Sequence, residues 1–128
     1  MAVYLDASAA VKLLVEEAET EALRTHLRIK PVRASSELLA VELVCVAYRL
    51  GIPAVDAERL AGTLILLPLD SRVLARARRP YEPPQRALDA IHLATAELSS
   101  EAVDEFVTYD QQQGRAAIDI GLSVVGPA

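Results

Sequence analysis

Four carboxylates in this 128-residue chain stand where folding alone does not ask for them. Asp6 and Asp110 each end a short apolar run, Val3-Tyr4-Leu5 and Phe106-Val107-Thr108-Tyr109. Glu42 sits among Val41, Leu43, Val44, Cys45 and Val46. With Leu38, Leu39 and Val46 at its i−4, i−3 and i+4 positions, it falls on the buried stripe of a helix. Asp89 and His92, spaced i and i+3, form the polar stripe of an otherwise apolar helix. Each has a structural explanation of its own. Asp6, Ser8 and Asp110 can cap the helices that follow them, Glu42 can belong to a buried salt bridge, and Asp89 can complement a helix dipole. His92 reads as a satisfied core histidine and is assigned no chemistry.

Convergence would change the chemistry. Two like charges 4 Å apart repel by about 4 kcal/mol at an effective dielectric of about 20, and four carboxylates contain several such pairs. A domain with a net stability of about 5–15 kcal/mol does not hold that uncompensated. Protonation or a divalent cation must relieve it. Oxygen ligands without cysteine or a histidine pair favour Mg²⁺ or Mn²⁺ over zinc. Such ions keep waters and bridge to phosphates, which points to phosphodiester chemistry.

The elements that would position these residues alternate along the chain. Strands are expected at 3–5, 32–34, 63–69, 103–109 and 122–125. Helices are expected at 8–28 with a break near 16–19, then 36–50, about 56–60 capped by Asp56, 71–79 capped by Asp70, 87–98 and 111–120. The continuous apolarity of 63–69 suits a strand buried on both faces. Arg79-Pro80-Tyr81-Glu82-Pro83-Pro84 must be loop. The alternation gives an α/β fold: one domain over residues 1–128, with a mainly parallel sheet of four to five strands flanked by helices. Asp6 and Asp110 then lie at the carboxyl ends of strands, where open α/β sheets bind their ligands.

Composition narrows the partners. A formal net charge of −5 excludes binding of nucleic acid through bulk positive charge. The charge is uneven, however. Arg72, Arg76, Arg78, Arg79 and Arg86 face only Glu82 in their stretch, while Glu16, Glu17, Glu19 and Glu21 crowd another. Either cluster can be a solvated helix face; the arginines can also form an anion-binding rim. No apolar run reaches the roughly 20 residues needed to cross a bilayer, and no signal-like start is seen, so a cytoplasmic protein is expected. Cys45, the single cysteine, reads as a small buried core residue.

Taken in order, Leu5-Asp6-Ala7-Ser8-Ala9, Ser35 to Leu43, Leu88 to Ala96 and Val107-Thr108-Tyr109-Asp110 resemble the motifs of PIN-domain proteins, specifically the VapC-type toxin ribonucleases of bacterial toxin-antitoxin pairs. The resemblance implies a metal-dependent endoribonuclease whose acidic quartet, Asp6, Glu42, Asp89 and Asp110, is the Mg²⁺ or Mn²⁺ site. Ser8 and Thr108 match small hydroxyl positions near that metal. It also implies a homodimer and a small antitoxin that blocks the site. Arg72, Arg76, Arg78, Arg79 and Arg86 are then candidates to hold the RNA backbone. One departure is local: Gln111-Gln112-Gln113 follows Asp110, where relatives often have a basic and then an apolar residue.

Two rival readings remain at this stage. A phosphoacceptor receiver domain needs a lysine near its last strand, and the only lysines are Lys12 and Lys30. A non-catalytic PIN-like module that binds metal and RNA or protein is separated from the nuclease by a cleavage test.

Overall fold

Short β-favouring runs and amphipathic stretches alternate throughout, and they fold as the alternation dictates. The structure, a computed structural model, describes residues 1–128. In chain order the elements are β1 (Ala2–Leu5), α1 (Ala7–Leu14), α2 (Thr20–Ile29), β2 (Arg33–Ser36), α3 (Glu37–Leu50), α4 (Ala54–Ala61), β3 (Ile65–Leu67), α5 (Ser71–Ala77), α6 (Ala87–Leu98), β4 (Val103–Val107), α7 (Gln111–Asp119) and β5 (Val124–Val125). The five strands form one sheet in the order β3-β2-β1-β4-β5, every neighbouring pair parallel.

β1 is the centre of the sheet. It pairs with β2 through Val3–Arg33 and Tyr4–Ala34, and with β4 through Tyr4–Phe106 and Leu5–Val107. The chain leaves β1 to one side for β2 and β3, then crosses back to β4. The strand order therefore reverses between β1 and β4, the point beyond whose carboxyl ends open α/β sheets bind their ligands.

The period of a strand sends alternate residues of β1 to opposite faces. Val3 and Leu5 pack with Ala9, Ala10, Leu23, Leu27, Leu39 and Leu43 of α1, α2 and α3. Tyr4 points the other way, among Leu93 of α6, Ala116 and Ala117 of α7, and Phe106 of β4. Its ring stacks on Phe106 with centroids 5.3 Å apart and planes 7° off parallel.

The break after α1 has a chemical cause. Lys12, buried at the end of α1, donates to Glu17 at 2.9 Å and Glu19 at 3.1 Å, and Thr20 Oγ1 donates to the Lys12 carbonyl at 2.8 Å. Part of the glutamate cluster is thus a knot between two helices rather than a solvated face. Asp70 caps α5 as expected, accepting from the N–H groups of Arg72 and Val73.

Three expectations are overturned. β3 lies at the sheet's edge, not in a doubly covered position, and Ile65 is 54% exposed. Continuous apolarity does not distinguish a central strand from an edge strand whose outer residues stay uncovered. Cys45 is exposed, because α3 buries the i, i+4, i+8 row Leu39, Leu43 and Ala47 and turns Val41, Cys45 and Tyr48 outward. Asp56 does not cap α4. That helix begins directly after Pro53, which leaves Asp56 in its first turn.

Candidate active site

β1 ends at Leu5, and Asp6, its backbone still extended, begins α1 by capping it, with Oδ1 accepting the Ala9 N–H at 2.9 Å. Ser8 Oγ donates to the same oxygen at 2.7 Å, and Thr108 Oγ1, just past the end of β4, donates to Oδ2 at 2.5 Å. Asp6 is 1% exposed and has no lysine or arginine partner. Burial pushes its carboxyl above the usual range, against the pull of the hydrogen bonds from Thr108, Ser8 and Ala9.

Asp110 occupies the matching place after β4. Its Oδ1 accepts the Gln113 N–H at 3.1 Å and caps α7, while its own N–H donates to Thr108 Oγ1 at 3.0 Å. Ser8 Oγ accepts the Tyr109 N–H at 2.9 Å. Ser8 and Thr108 therefore stitch the ends of the two central strands together.

Asp89 lies in the first turn of α6, and its carboxylate forms neither a hydrogen bond nor an ion pair with the protein. Burial raises its carboxyl first and the neighbouring Asp110 raises it further, while Arg86, the N-cap residue of α6, pulls it down. Gln113, 1% exposed, donates from Nε2 to the Asp89 carbonyl at 3.2 Å and docks α7 on the start of α6.

Glu42 projects from α3, its side chain 16% exposed. Its Oε1 lies 2.6 Å from His92 Nε2, and His92 Nδ1 lies 2.7 Å from the Tyr4 hydroxyl. The partner that a half-buried glutamate requires is thus a histidine on α6. The sequence reads His92 only as a core histidine, and nothing in it joins His92 to a residue 50 positions earlier.

The charges of Asp110 and Glu42 both bear on Asp89. As they stand, no three His, Cys, Asp or Glu side chains form a ligand set for one ion. In donor type and charge the group suits a hard divalent cation. Its ligands are all oxygens, Asp89 is without a counter-ion, and the charge of Asp110 adds to the cost of ionising it.

The arginines divide by role. Arg76 is committed to the fold: it pairs with Glu97 of α6 and lies over the Tyr81 ring, 4.0 Å from its centroid. Arg78 and Arg79 are exposed on a shallow cavity that Tyr81, Gln85 and Ala90 also line, and Arg72 is exposed beside Asp70 and Thr95.

Comparison with known proteins agrees with this architecture. The family model described as PIN domain matches residues 3–119. Ribonuclease VapC46 of Mycobacterium tuberculosis is 42% identical over 130 residues, covering 99% of this chain and 98% of its own. Ribonuclease VapC47 of the same species is 37% identical over 131 residues, covering 98% and 96%. A toxin-antitoxin complex from Klebsiella pneumoniae shares the fold with a TM-score of 0.76 at 21% identity, over 99% of this chain and 98% of that one. The FitAB complex bound to an IR36 DNA fragment does so at 0.70 and 15%, over 98% and 94%. With its sheet order, its strand-end aspartates and relatives alike over nearly their whole lengths, the chain belongs to the PIN domain family, among the VapC proteins.

Proposed function

We propose that the chain is a VapC-type toxin, an endoribonuclease that hydrolyses RNA phosphodiester bonds and is held in check by a small antitoxin protein. The observation that carries this reading is Asp6. A carboxylate 1% exposed, held by Thr108, Ser8 and Ala9 and paired with no lysine or arginine, lies at the switch point of a fold shared with proteins named ribonucleases.

Asp6, Asp89 and Asp110 would hold Mg²⁺ or Mn²⁺, with Glu42 contributing directly or through water. When bound, the ion supplies a water activated for attack and stabilises the charge that develops on the phosphate. The chain does the positioning. Thr108 and Ser8 fix both oxygens of Asp6, the capping bond fixes one oxygen of Asp110, and Asp89 is free to turn towards the ion. Arg86, beside Asp89, and the exposed Arg72, Arg78 and Arg79 would hold the RNA backbone against an acidic site. Arg76, already paired, is left out of that role.

Residues 1–128 act as one nuclease domain, and two copies pair. The outward Val41, Cys45 and Tyr48 of α3 offer apolar surface for such pairing. The place of work is the cytoplasm; no helix is long and apolar enough to cross a membrane.

The test is cleavage of a mixed RNA pool by the chain free of partners, with Mg²⁺, Mn²⁺ or EDTA, beside Asp6→Asn. Cleavage that needs metal and disappears in the variant supports the proposal. Equal signal from both proteins marks a contaminant and favours the non-catalytic binding module.

A further inference from the structure

Of the four carboxylates, Glu42 has the longest side chain and no capping bond to fix it. Asp6 and Asp110 are held by the N–H groups of the helices they begin, but Glu42 lies inside α3, where every nearby backbone donor is already used. Its restraint comes from another helix. His92, 1% exposed on α6, meets Oε1 of Glu42 through Nε2 at 2.6 Å and the Tyr4 hydroxyl through Nδ1 at 2.7 Å. The imidazole is locked by packing as well, since the fully buried Tyr4 ring stands edge-on to it, centroids 5.8 Å apart at 75°, and is backed by Phe106.

The hydrogens follow from the partners. A carboxylate oxygen only accepts, so Nε2 carries the hydrogen. In the neutral ring Nδ1 is then an acceptor, and the Tyr4 hydroxyl donates to it. Burial holds that hydroxyl in its protonated form, far above the ordinary tyrosine range. Both ring nitrogens are engaged, so His92 is not itself a ligand. Oε2 of Glu42 accepts nothing from the protein.

We infer that His92, oriented by Tyr4, is a positioning residue for Glu42: it binds Oε1, leaves Oε2 to the divalent cation, and fixes the carboxylate before the cation arrives. The inference rests on the metal site proposed above. Its physical content is preorganisation. Glutamate loses rotamer freedom on being fixed, and here that loss is met on folding rather than on binding.

The experiment uses the full chain and reads two quantities: the dissociation constant for Mn²⁺ by calorimetry, and the ring ¹⁵N shifts of His92 in metal-free protein. With only two histidines the shifts are readily assigned. In the wild type they should report one tautomer, protonated at Nε2. His92→Leu should weaken Mn²⁺ binding about ten-fold or more, the scale on which outer-shell partners act. His92→Gln, whose amide offers an N–H to Glu42, should recover part of the loss. The double variant His92→Leu/Glu42→Gln should bind no more weakly than Glu42→Gln alone. Tyr4→Phe, which keeps the packing, should mix the tautomers and weaken Mn²⁺ several-fold; it carries the test if His92→Leu does not fold.

If the His92 and Tyr4 variants lower Tm yet bind Mn²⁺ as the wild type does, while Glu42→Gln loses affinity, the positioning role is overturned and the metal site stands. If Mn²⁺ binding is the same in wild type, Asp6→Asn and Glu42→Gln, the metal site falls and this inference with it.

Discussion

Thr108 donates its hydroxyl hydrogen to Asp6 Oδ2 at 2.5 Å across the β1–β4 seam and with the same oxygen accepts the N–H of Asp110 at 3.0 Å. One hydroxyl thereby sets the orientation of two candidate ligands. Thr108→Val keeps the shape and removes both bonds, leaving a buried carboxylate oxygen and an N–H without partners. A loss of about 1–3 kcal/mol in urea unfolding is expected. Thr108→Ser should recover most of it; a valine variant as stable as wild type would mean the seam bonds do not matter.

The carboxyls of Asp6 and Asp89 are raised in the folded protein, in both cases first by burial. Between the unfolded value near 3.8 and the higher folded one, the native state binds more protons than the unfolded state. Stability contributed by these groups is therefore full below the unfolded value and falls as pH rises through the folded one. Without divalent cations, Asp6→Asn should raise Tm more at pH 7.5 than at pH 4. Glu105 opposes the trend on the acid side. Burial works against its charge, but hydrogen bonds from His26 and Lys30 outweigh burial and lower its pKa, so its contribution is lost as pH falls through the folded value.

Mn²⁺ should raise the Tm of the wild type and leave Asp6→Asn and Asp89→Asn nearly unmoved. At an ion concentration of about 100 times the dissociation constant the gain corresponds to about 2.7 kcal/mol. Differential scanning calorimetry with and without the ion checks it; equal shifts in all three proteins would place the ion elsewhere.

Arg76 and Arg79 should separate cleanly. Arg76→Ala breaks the contacts with Glu97 and Tyr81 and should cost about 1–3 kcal/mol of stability. Arg79→Ala should leave Tm in place and weaken binding of single-stranded RNA to a catalytically dead chain, lowering the salt slope by about 0.7 for the lost phosphate contact. An Arg79 variant with wild-type affinity and slope removes it from the rim.

Two glycines near the site give opposite expectations. A Cβ on Gly126 would stand 2.9 Å from the Thr108 carbonyl oxygen, so Gly126→Ala must displace backbone and should destabilise. A Cβ on Gly114, inside α7, meets side-chain carbons of Val124 and Thr108 at 3.5 and 3.6 Å, ordinary contact. Gly114→Ala should stabilise by about 0.5–1 kcal/mol through helix propensity. Paired unfolding curves decide both.

Much of this molecule was legible in its sequence because the informative residues break local patterns. Asp6 and Asp110 interrupt apolar runs at strand ends, and α6 runs from Ala87 to Leu98 as its apolar composition predicts. What escaped depends on distant packing. The edge position of β3 follows from strand order, not from its own residues, and the exposure of Cys45 follows from which row of α3 meets the sheet. His92 is the sharpest case: read as a core histidine, it is one, but its two partners come from β1 and α3. Gln113, in a run that resembled nothing, is buried and braces the start of α6.

The two carboxylates that flank the seam lie far apart in the chain, and the contact that joins β4 to Asp6 spans 102 positions. β1 is made first, yet its second neighbour in the sheet is among the last strands to leave the ribosome. Until then Asp6 has no Thr108 to hold its second oxygen. A part-made chain thus lacks the bond that holds Asp6 Oδ2, and a chain cut between α5 and α6 leaves Asp6 and Glu42 on one piece and Asp89 and Asp110 on the other, so that the four carboxylates come together only when the pieces meet.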